Sequence, residues 1–513
     1  MRRLLDLVGG FVPAVIALTL PLVFLPSAAD SYILPRASIA IAGACLGVGM
    51  SLLIPTAAGL GNLRLPLAAA AAAAILAFVF SISWPLSLAG SYTRYEALPM
   101  RLAYLGLMAS AVWLLRRRVE RDAVGAAFVF GTAVASLEAL QQAIANVAFR
   151  PDGNLGNANL LAALIAMAIP LAVDRARRGG LFIGPWAAAV VVMGAGLIVT
   201  TSRSGALGAV AGCLALATFA VPRRFSLPVA AAAVVAVGAA VIFILVSPLQ
   251  ALNDDPAALR IHLWQDGLRL LAARPLTGWG EDATGLSFGH YLTQDYAGLV
   301  TFDRVHSGPL DVAVTQGVLG LAALAWVVVV VFTAAWKRRA EAGVAGLAGA
   351  LVGYSVWVFF NFDWAPATGV FWILAGTLWS SVRGPAPPRS RVVVGEGRGG
   401  ALARTACAVL LALLAIPLAV LPLLADTWYL RGHADLAVRV DPLQAQYHWA
   451  LGTVPELQRA ADLGETDPGM YVQLGDGYLK GSDQANARRA YQRALEIDPY
   501  YSPAAQRLAA LST

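Results

Sequence analysis

The chain has 513 residues, 58% hydrophobic and only 13% charged, with a mean hydropathy of +0.68. A soluble domain carries roughly 25% charged residues, so this composition excludes an ordinary water-soluble fold and makes lipid the main solvent. The net charge of +7 does not signal nucleic acid, because the basic residues stand in short clusters between apolar runs, where they set membrane orientation.

About 20 apolar residues cross the hydrocarbon core as a helix. Runs near that length recur at 9–27, 37–58, 66–84, 97–115, 123–148, 157–173, 181–201, 204–221, 227–247, 308–335, 342–361, 364–382 and 403–425. They predict an all-α polytopic membrane protein with twelve to thirteen spans. Met1-Arg2-Arg3 leads straight into the first run, which continues as a span and has no convincing cleavage site. Several runs are rich in Ala and Gly, which favours close helix packing in lipid. Cys45, Cys213 and Cys407 all fall inside apolar segments and read as small buried residues.

The basic clusters give the orientation. With the N-terminus in the cytoplasm, the inner segments hold Arg2 and Arg3, Arg116 to Arg118, Arg175, Arg177 and Arg178, Lys337 to Arg339 and the arginines after Arg383. The short outer connections hold only Arg36, Arg94, Arg150 and Arg203. Residues 383–402, rich in Pro and Gly, form a flexible inner linker. The arrangement divides the chain into a membrane domain, 1–425, and an outer tail, 426–513, and turns a long polar loop, 248–307, outward. Loops of that length are usually functional. Asp254-Asp255-Pro256 starts a helix in which Leu259, Ile261, Leu263, Trp264, Leu268, Leu270 and Leu271 make one apolar face, able to lie along the membrane surface.

In the tail, Tyr471, Leu474, Gly475, Tyr478, Ala487, Tyr491, Ala494 and Pro499 closely match the tetratricopeptide helix–turn–helix pattern. Asp441-Pro442 and Asp467-Pro468 point to degenerate neighbouring repeats.

All five histidines (His262, His290, His306, His433 and His448) fall outside under this topology. His306 closes the long loop just before the tenth span, on a rigid helix start facing outer water, where it can serve as a general base or as an interfacial cap. Arg203, in Ser202-Arg203-Ser204-Gly205, joins two spans with almost no loop; a guanidinium there is costly unless paired. Arg260 and Arg274 lie in the loop, and Arg94, Arg101 and Arg150 are further outer cations. Paired guanidinium forks match the oxygens of a pyrophosphate, although each arginine alone can equally anchor lipid phosphate. Glu138 is an intramembrane acid, either functional or a partner for a buried polar group. The loop acids have no His partners at ligand spacing, so no metal or other cofactor is expected. Gly153-Asn154-Leu155-Gly156-Asn157-Ala158-Asn159 opens the sixth span as a turn that either caps the helix or presents N–H groups to an anion.

Together these stretches resemble the O-antigen ligase and polymerase superfamily of bacterial membrane glycosyltransferases. The resemblance rests on Gly156-Asn157-Ala158-Asn159, Ser202-Arg203-Ser204-Gly205, Arg260, Trp264, Arg274-Pro275, Gly278 and Gly280, His306, Gln316-Gly317 and Gly320, and covers about residues 150–335. It implies a GT-C membrane fold in the bacterial inner membrane and a donor glycan on undecaprenyl pyrophosphate. It also implies an acceptor hydroxyl on lipid, glycan or protein, and no metal. Carried over, Arg203 and Arg260 bind the pyrophosphate and His306 acts at the acceptor hydroxyl. Arg274, Arg101, Arg94, Arg150, Asn157, Asn159 and Trp264 are the accompanying substrate-binding candidates. Ser307 stands where the family often has Asn, and Pro309 where an aromatic is common. The tail lies outside the core pattern and is expected to recruit a protein partner or cover the acceptor site. Ligation, polymerisation and protein glycosylation all share this set. A lipid-linked-glycan transporter would show internal repeats, and a pure scaffold would need neither the loop arginines nor His306.

Overall fold

The computed structural model describes residues 8–54, 59–146, 148–179, 183–249, 257–296, 302–383 and 398–511. Among them every regular element is helical. The chain begins with α1 (Val12–Leu22), α2 (Ile33–Leu53), α3 (Arg64–Val79), α4 (Leu98–Leu114) and α5 (Arg118–Ala145). It continues with α6 (Ala158–Arg177), α7 (Ile183–Thr200), α8 (Arg203–Ala220) and α9 (Arg223–Val246). In the long loop lies α10 (Ala257–Ala273), followed by α11 (Gly308–Lys337), α12 (Val344–Phe359), α13 (Ala365–Val382) and α14 (Gly399–Leu430). Apart from α10, each of these matches one of the thirteen apolar runs. Nine of the described helices are long and apolar enough to cross a membrane, while α1, α4 and α12 are apolar but shorter. The chain is a polytopic membrane protein.

The helices pack closely because their contact faces are nearly bare backbone. Gly208 and Gly212 of α8 meet Gly349 and Gly353 of α12; a Cβ added at Gly208 would stand 2.6 Å from the Gly353 carbonyl oxygen. Without a hydrophobic drive between helices in lipid, such small-residue faces supply the van der Waals contact that holds them together. Ala166 and Pro170 of α6 pack against the same glycines, and 78% of the apolar window of α6 is buried in the protein. By contrast α9, with mean hydropathy 2.9, buries none of its window in the protein and presents its side chains to lipid.

The loop between α10 and α11 is stitched into the bundle. Gly317 breaks α11 at φ 71°, ψ −176°. The break frees carbonyls that the loop takes up: Trp279 N–H donates to Val314 O and Gly280 N–H to Thr315 O, each at 3.0 Å. In return, Val318 N–H donates to Pro275 O at 2.8 Å. The apolar face of α10 packs against protein: Leu263 and Leu270 join Phe288, Val305 and Val314 in one buried cluster. Ile261 and Leu268 stay exposed.

The tail forms α15 (Ala434–Val440), α16 (Ala445–Leu451), α17 (Val454–Leu463), α18 (Pro468–Lys480), α19 (Gln484–Ile497) and α20 (Ser502–Ala510). Tyr471, Leu474 and Gly475 of α18 are buried, as are Ala487, Tyr491 and Ala494 of α19. Leu457, Leu463, Met470 and Ile497 share a core with Leu86, Ala283 and Leu286, so these helices dock on the long loop and on the segment after α3. Asp426, at the end of α14, accepts from Asp30 N–H at 2.7 Å, Tyr92 OH at 2.8 Å and Tyr447 OH at 3.1 Å.

A Cβ at Gly317 would stand 2.1 Å from the Leu276 carbonyl oxygen. Gly317→Ala therefore adds a clash to the cost of a positive-φ extended conformation that only glycine adopts readily, about 1–3 kcal/mol by itself. Thermal unfolding in detergent should show a marked drop in melting temperature; a wild-type melting curve would mean that the break in α11 is not held by this contact.

Candidate active site

Two cavities open at one end of the bundle. The first, about 240 Å³, lies among the starts of α6 and α8, the ends of α9 and α12, and α10. Arg150, Arg203 and Arg260 converge on it, beside Asn159, Ser204 and Trp264. Val241, Ile244 and Leu245 of lipid-facing α9 form its apolar wall. The guanidiniums are aimed by backbone carbonyls. Arg150 Nε donates to Thr200 O at 2.8 Å, Arg203 donates to Leu249 O at 2.7 Å, and Arg260 donates to Phe360 O. Asn159 Oδ1 accepts from both Arg150 (2.9 Å) and Ser202 Oγ (2.8 Å). Three cations against an apolar wall suit an amphiphile with an anionic head.

The second cavity, about 250 Å³, is lined by Arg94, Asn157, Asn159, Arg260, His306 and Asn361, with Trp357, Phe362 and Trp364 among its walls. Arg260 and Asn159 line both cavities. His306 sits at φ 52° directly before α11, its ring edge-on to Phe302 (5.7 Å) and Phe362 (5.2 Å). Its carbonyl accepts from Trp264 Nε1 at 3.3 Å. Arg94 forms a two-pronged pair with Asp303, at 2.7 and 3.1 Å, and lies over the rings of Phe362 and Trp364. Burial works against both charges of that pair, but their attraction outweighs it. Arg94 is held above the ordinary arginine value, and Asp303, which also feels His306, lies below the usual carboxylate range.

Behind these cavities is a buried charge cluster. Arg101 pairs with Asp363 (2.6 Å), Glu281 (3.1 Å) and Glu96 (3.8 Å). Arg304 pairs with Asp311 (2.9 Å) and with Asp282. Asp282 Oδ2 in turn accepts the N–H groups of Ser91 and Glu96. Burial pushes the Glu96 carboxyl up to about 7, against the pull of Arg101.

The structure thus gathers Arg203, Arg260, His306, Arg94, Arg150, Asn157, Asn159 and Trp264 around two adjoining cavities. Arg101 and Arg274 line neither. Arg101 is taken up by the buried carboxylates, and Arg274 donates to Phe80 O while its guanidinium lies over Trp279. Asn157 accepts from Asn159 N–H at 2.8 Å, which caps α6, so the glycine-rich turn serves the helix start. Glu138 also lines neither cavity. Missed from sequence were Asp303, Arg304 and the run Phe359-Phe360-Asn361-Phe362-Asp363-Trp364. The available signal was Asn361 and Asp363, two polar residues at a break between apolar runs. Among the described residues no three His, Cys, Asp or Glu side chains group where they could hold a metal ion.

Residues 188–325 match the family model described as O-antigen ligase, a stretch running from α7 into α11 and including Arg203, Arg260 and His306. The match supports the O-antigen ligase superfamily and an enzyme of glycosyltransferase type. No curated protein matches the chain.

Because the folded state raises the Glu96 carboxyl from its ordinary 4.5 to about 7, it binds a proton that the unfolded chain has already released. Its contribution to stability is therefore full below pH 4.5 and lost as pH rises through 7. Glu96→Gln should therefore lessen the fall in melting temperature between pH 5 and pH 8 relative to wild type. An equal effect at both pH values would contradict the shift.

Proposed function

We propose that this protein moves a glycan from undecaprenyl pyrophosphate to an acceptor hydroxyl at the outer face of the bacterial inner membrane, as an enzyme of the O-antigen ligase or polymerase type. The observation that carries the reading is the convergence of Arg150, Arg203 and Arg260 on a cavity walled by lipid-facing α9 and joined, through Arg260 and Asn159, to the cavity of His306. A polyprenyl diphosphate has the matching polarity: an apolar chain beside α9 and a diphosphate among the guanidiniums.

In the proposed reaction the acceptor hydroxyl attacks the anomeric carbon, and the carbon–oxygen bond to the diphosphate breaks. The hydroxyl proton passes to His306, and undecaprenyl pyrophosphate leaves. Arg203 and Arg260, already aimed by carbonyl acceptors, neutralise the charge that grows on the leaving diphosphate without having to reorganise. The displacement is single, inverts the anomeric centre and needs no metal. Phe302 and Phe362 fix the plane of the His306 ring.

The basic clusters support an orientation with this end of the bundle outside. The helices after Leu430 dock at the same end. That placement favours a partnered acceptor, and with it protein O-glycosylation, as the second reading within the superfamily. In either case the tail, read as tetratricopeptide-like repeats, binds a protein partner or covers the acceptor. Transport of the lipid-linked glycan ranks below both.

The test is transfer from a lipid-linked donor by purified protein, followed by mass analysis of the product, with chelator present throughout. Losing one preorganised contact to developing charge costs about 2.7–4 kcal/mol, or roughly 100- to 1000-fold in rate. Arg203→Ala and Arg260→Ala should each fall by that factor, and Arg→Lys should recover little, because a point charge cannot reproduce the fork. His306→Ala should abolish transfer and leave donor binding nearly intact. Near-normal turnover in well-folded variants would return the scaffold reading to first place.

A further inference from the structure

The start of α6 borders the arginine and histidine cavities, and its far end borders another that the proposed reaction does not use. This one lies between the start of α5, the end of α6, the turn joining α11 to α12 and the end of α13. Arg118, Arg121 and Asp122 enter it from α5, and Asp174, Arg175 and Arg178 from the end of α6. On α5 the lining positions recur as 118, 121, 122, 125 and 129, and on α6 as 171, 174, 175 and 178. One face of each helix is therefore turned to the cavity. Both faces are charged at the bundle end, and Val129 and Leu171 stand one to two turns further in.

The cations outnumber the acids, four arginines to two aspartates. Each carboxylate is also shared. Asp122 takes Arg175 at 2.6 Å and Arg118 at 3.7 Å, and Asp174 takes Arg177 at 2.8 Å and Arg178 at 3.0 Å. Arg121 donates to the Arg116 carbonyl at 3.3 Å and makes no ion pair among the described residues. Beyond Ser381 of the lining, Arg383 donates to Val112 O at 2.6 Å and Leu115 O at 3.3 Å. The charges acting on Arg383 are those of Arg121 and Arg116, both of its own sign. Holding half-buried like charges together is costly unless an anion joins them.

Orienting the bundle requires basic residues in inner loops, but it does not require four guanidiniums from two spans to converge on one gap. The gap is small, about 30 Å³, room for two or so water-sized groups. It can take the oxygens of a phosphate and leave the rest of a lipid outside. A Cβ built on Gly125 would meet nothing within 4 Å, so the α5 face is open at that point. Guanidinium forks match phosphate oxygens. With this end in the cytoplasm, as the basic clusters indicate, the site lies at the depth of the inner-leaflet phosphates. Basic pockets between spans at that depth suit acidic headgroups.

We propose that this cavity seats a phosphate group carried by an acidic lipid of the inner leaflet. The inference does not depend on transfer activity and is tested by binding. The full-length protein is reconstituted in nanodiscs of phosphatidylcholine, alone or with phosphatidylglycerol added in steps. Native mass spectrometry and thermal unfolding are the readouts, and inorganic phosphate added to the phosphatidylcholine discs is the soluble arm.

Wild-type protein should retain one phosphatidylglycerol saturably and melt higher with it. Arg118→Gln/Arg121→Gln cancels the excess charge and leaves Arg175 on Asp122 and Arg178 on Asp174; it should retain the lipid at least about tenfold more weakly. Gly125→Leu should do the same by filling the gap. In phosphatidylcholine alone Gly125→Leu should melt no lower than wild type, because its Cβ meets open space and leucine favours helix over glycine. Arg224→Gln, which removes an inner cation at the start of α9, should retain the lipid as wild type does. Equal loss in Arg224→Gln would overturn the proposal, because the attraction would then be general to the inner surface. So would retention unchanged in either site variant, or no saturable phosphatidylglycerol. The same rise in melting temperature with inorganic phosphate would also overturn it, by making the site one for a soluble phosphate.

Discussion

Arg101 and Arg304 are almost fully buried guanidiniums, and satisfying them fixes how the loops meet at one end of the bundle. An ion withdrawn from water without a partner costs several kcal/mol, and breaking a buried pair typically costs 3–5 kcal/mol. The partners come from separate parts of the chain. Glu96 precedes α4, Glu281 and Asp282 lie in the long loop, Asp311 opens α11, and Asp363 joins α12 to α13. Together these segments give both cations buried carboxylate partners. His306 follows Arg304 by two residues, and Arg94 reaches Asp303 beside it, so the candidate site residues His306 and Arg94 are held close to this buried pairing.

The membrane sets the rest. Glycine faces let α8 lie against α12 and α6, which brings Ser204 within 3.0 Å of the Asn361 amide. α9 packs little against protein and closes one side of the arginine cavity with lipid-facing residues. A site that is cationic on one wall and open to lipid on another suits a substrate that is itself half lipid. The neighbouring cavity is more polar and holds the histidine. In the proposed reaction, charge stabilisation and proton transfer fall to different walls that meet at Arg260.

Much of this was legible in the sequence for simple reasons. Hydrocarbon thickness makes each span a run of set length, and the helices of the structure follow those runs. Arg203 stood out because a guanidinium at a tight junction of two spans is expensive, Arg260 as a cation of the long outer loop, and His306 because it closes that loop at a helix start. Arginines do not announce their partners, however. Arg101 looked like Arg94 in sequence, yet its closest carboxylate, Asp363, is 262 residues away. The apolar stripe of α10 could not tell lipid from protein, and the fold sets Leu263 and Leu270 against α11. Asn361 closed one apolar run and Asp363 fell in the short gap before the next, so neither was singled out, although they connect the arginine cavity to the charge cluster.

The proposed reaction requires one lipid-linked donor to span both cavities, and imaging it there tests this directly. A cryo-electron-microscopy structure of the protein in nanodiscs, with a non-hydrolysable polyprenyl diphosphate sugar, should show the diphosphate between Arg203 and Arg260. The prenyl chain should lie along α9, and the first sugar should point past Asn159 toward His306. A diphosphate bound elsewhere, or a donor in the arginine cavity whose sugar points away from His306, would contradict the account.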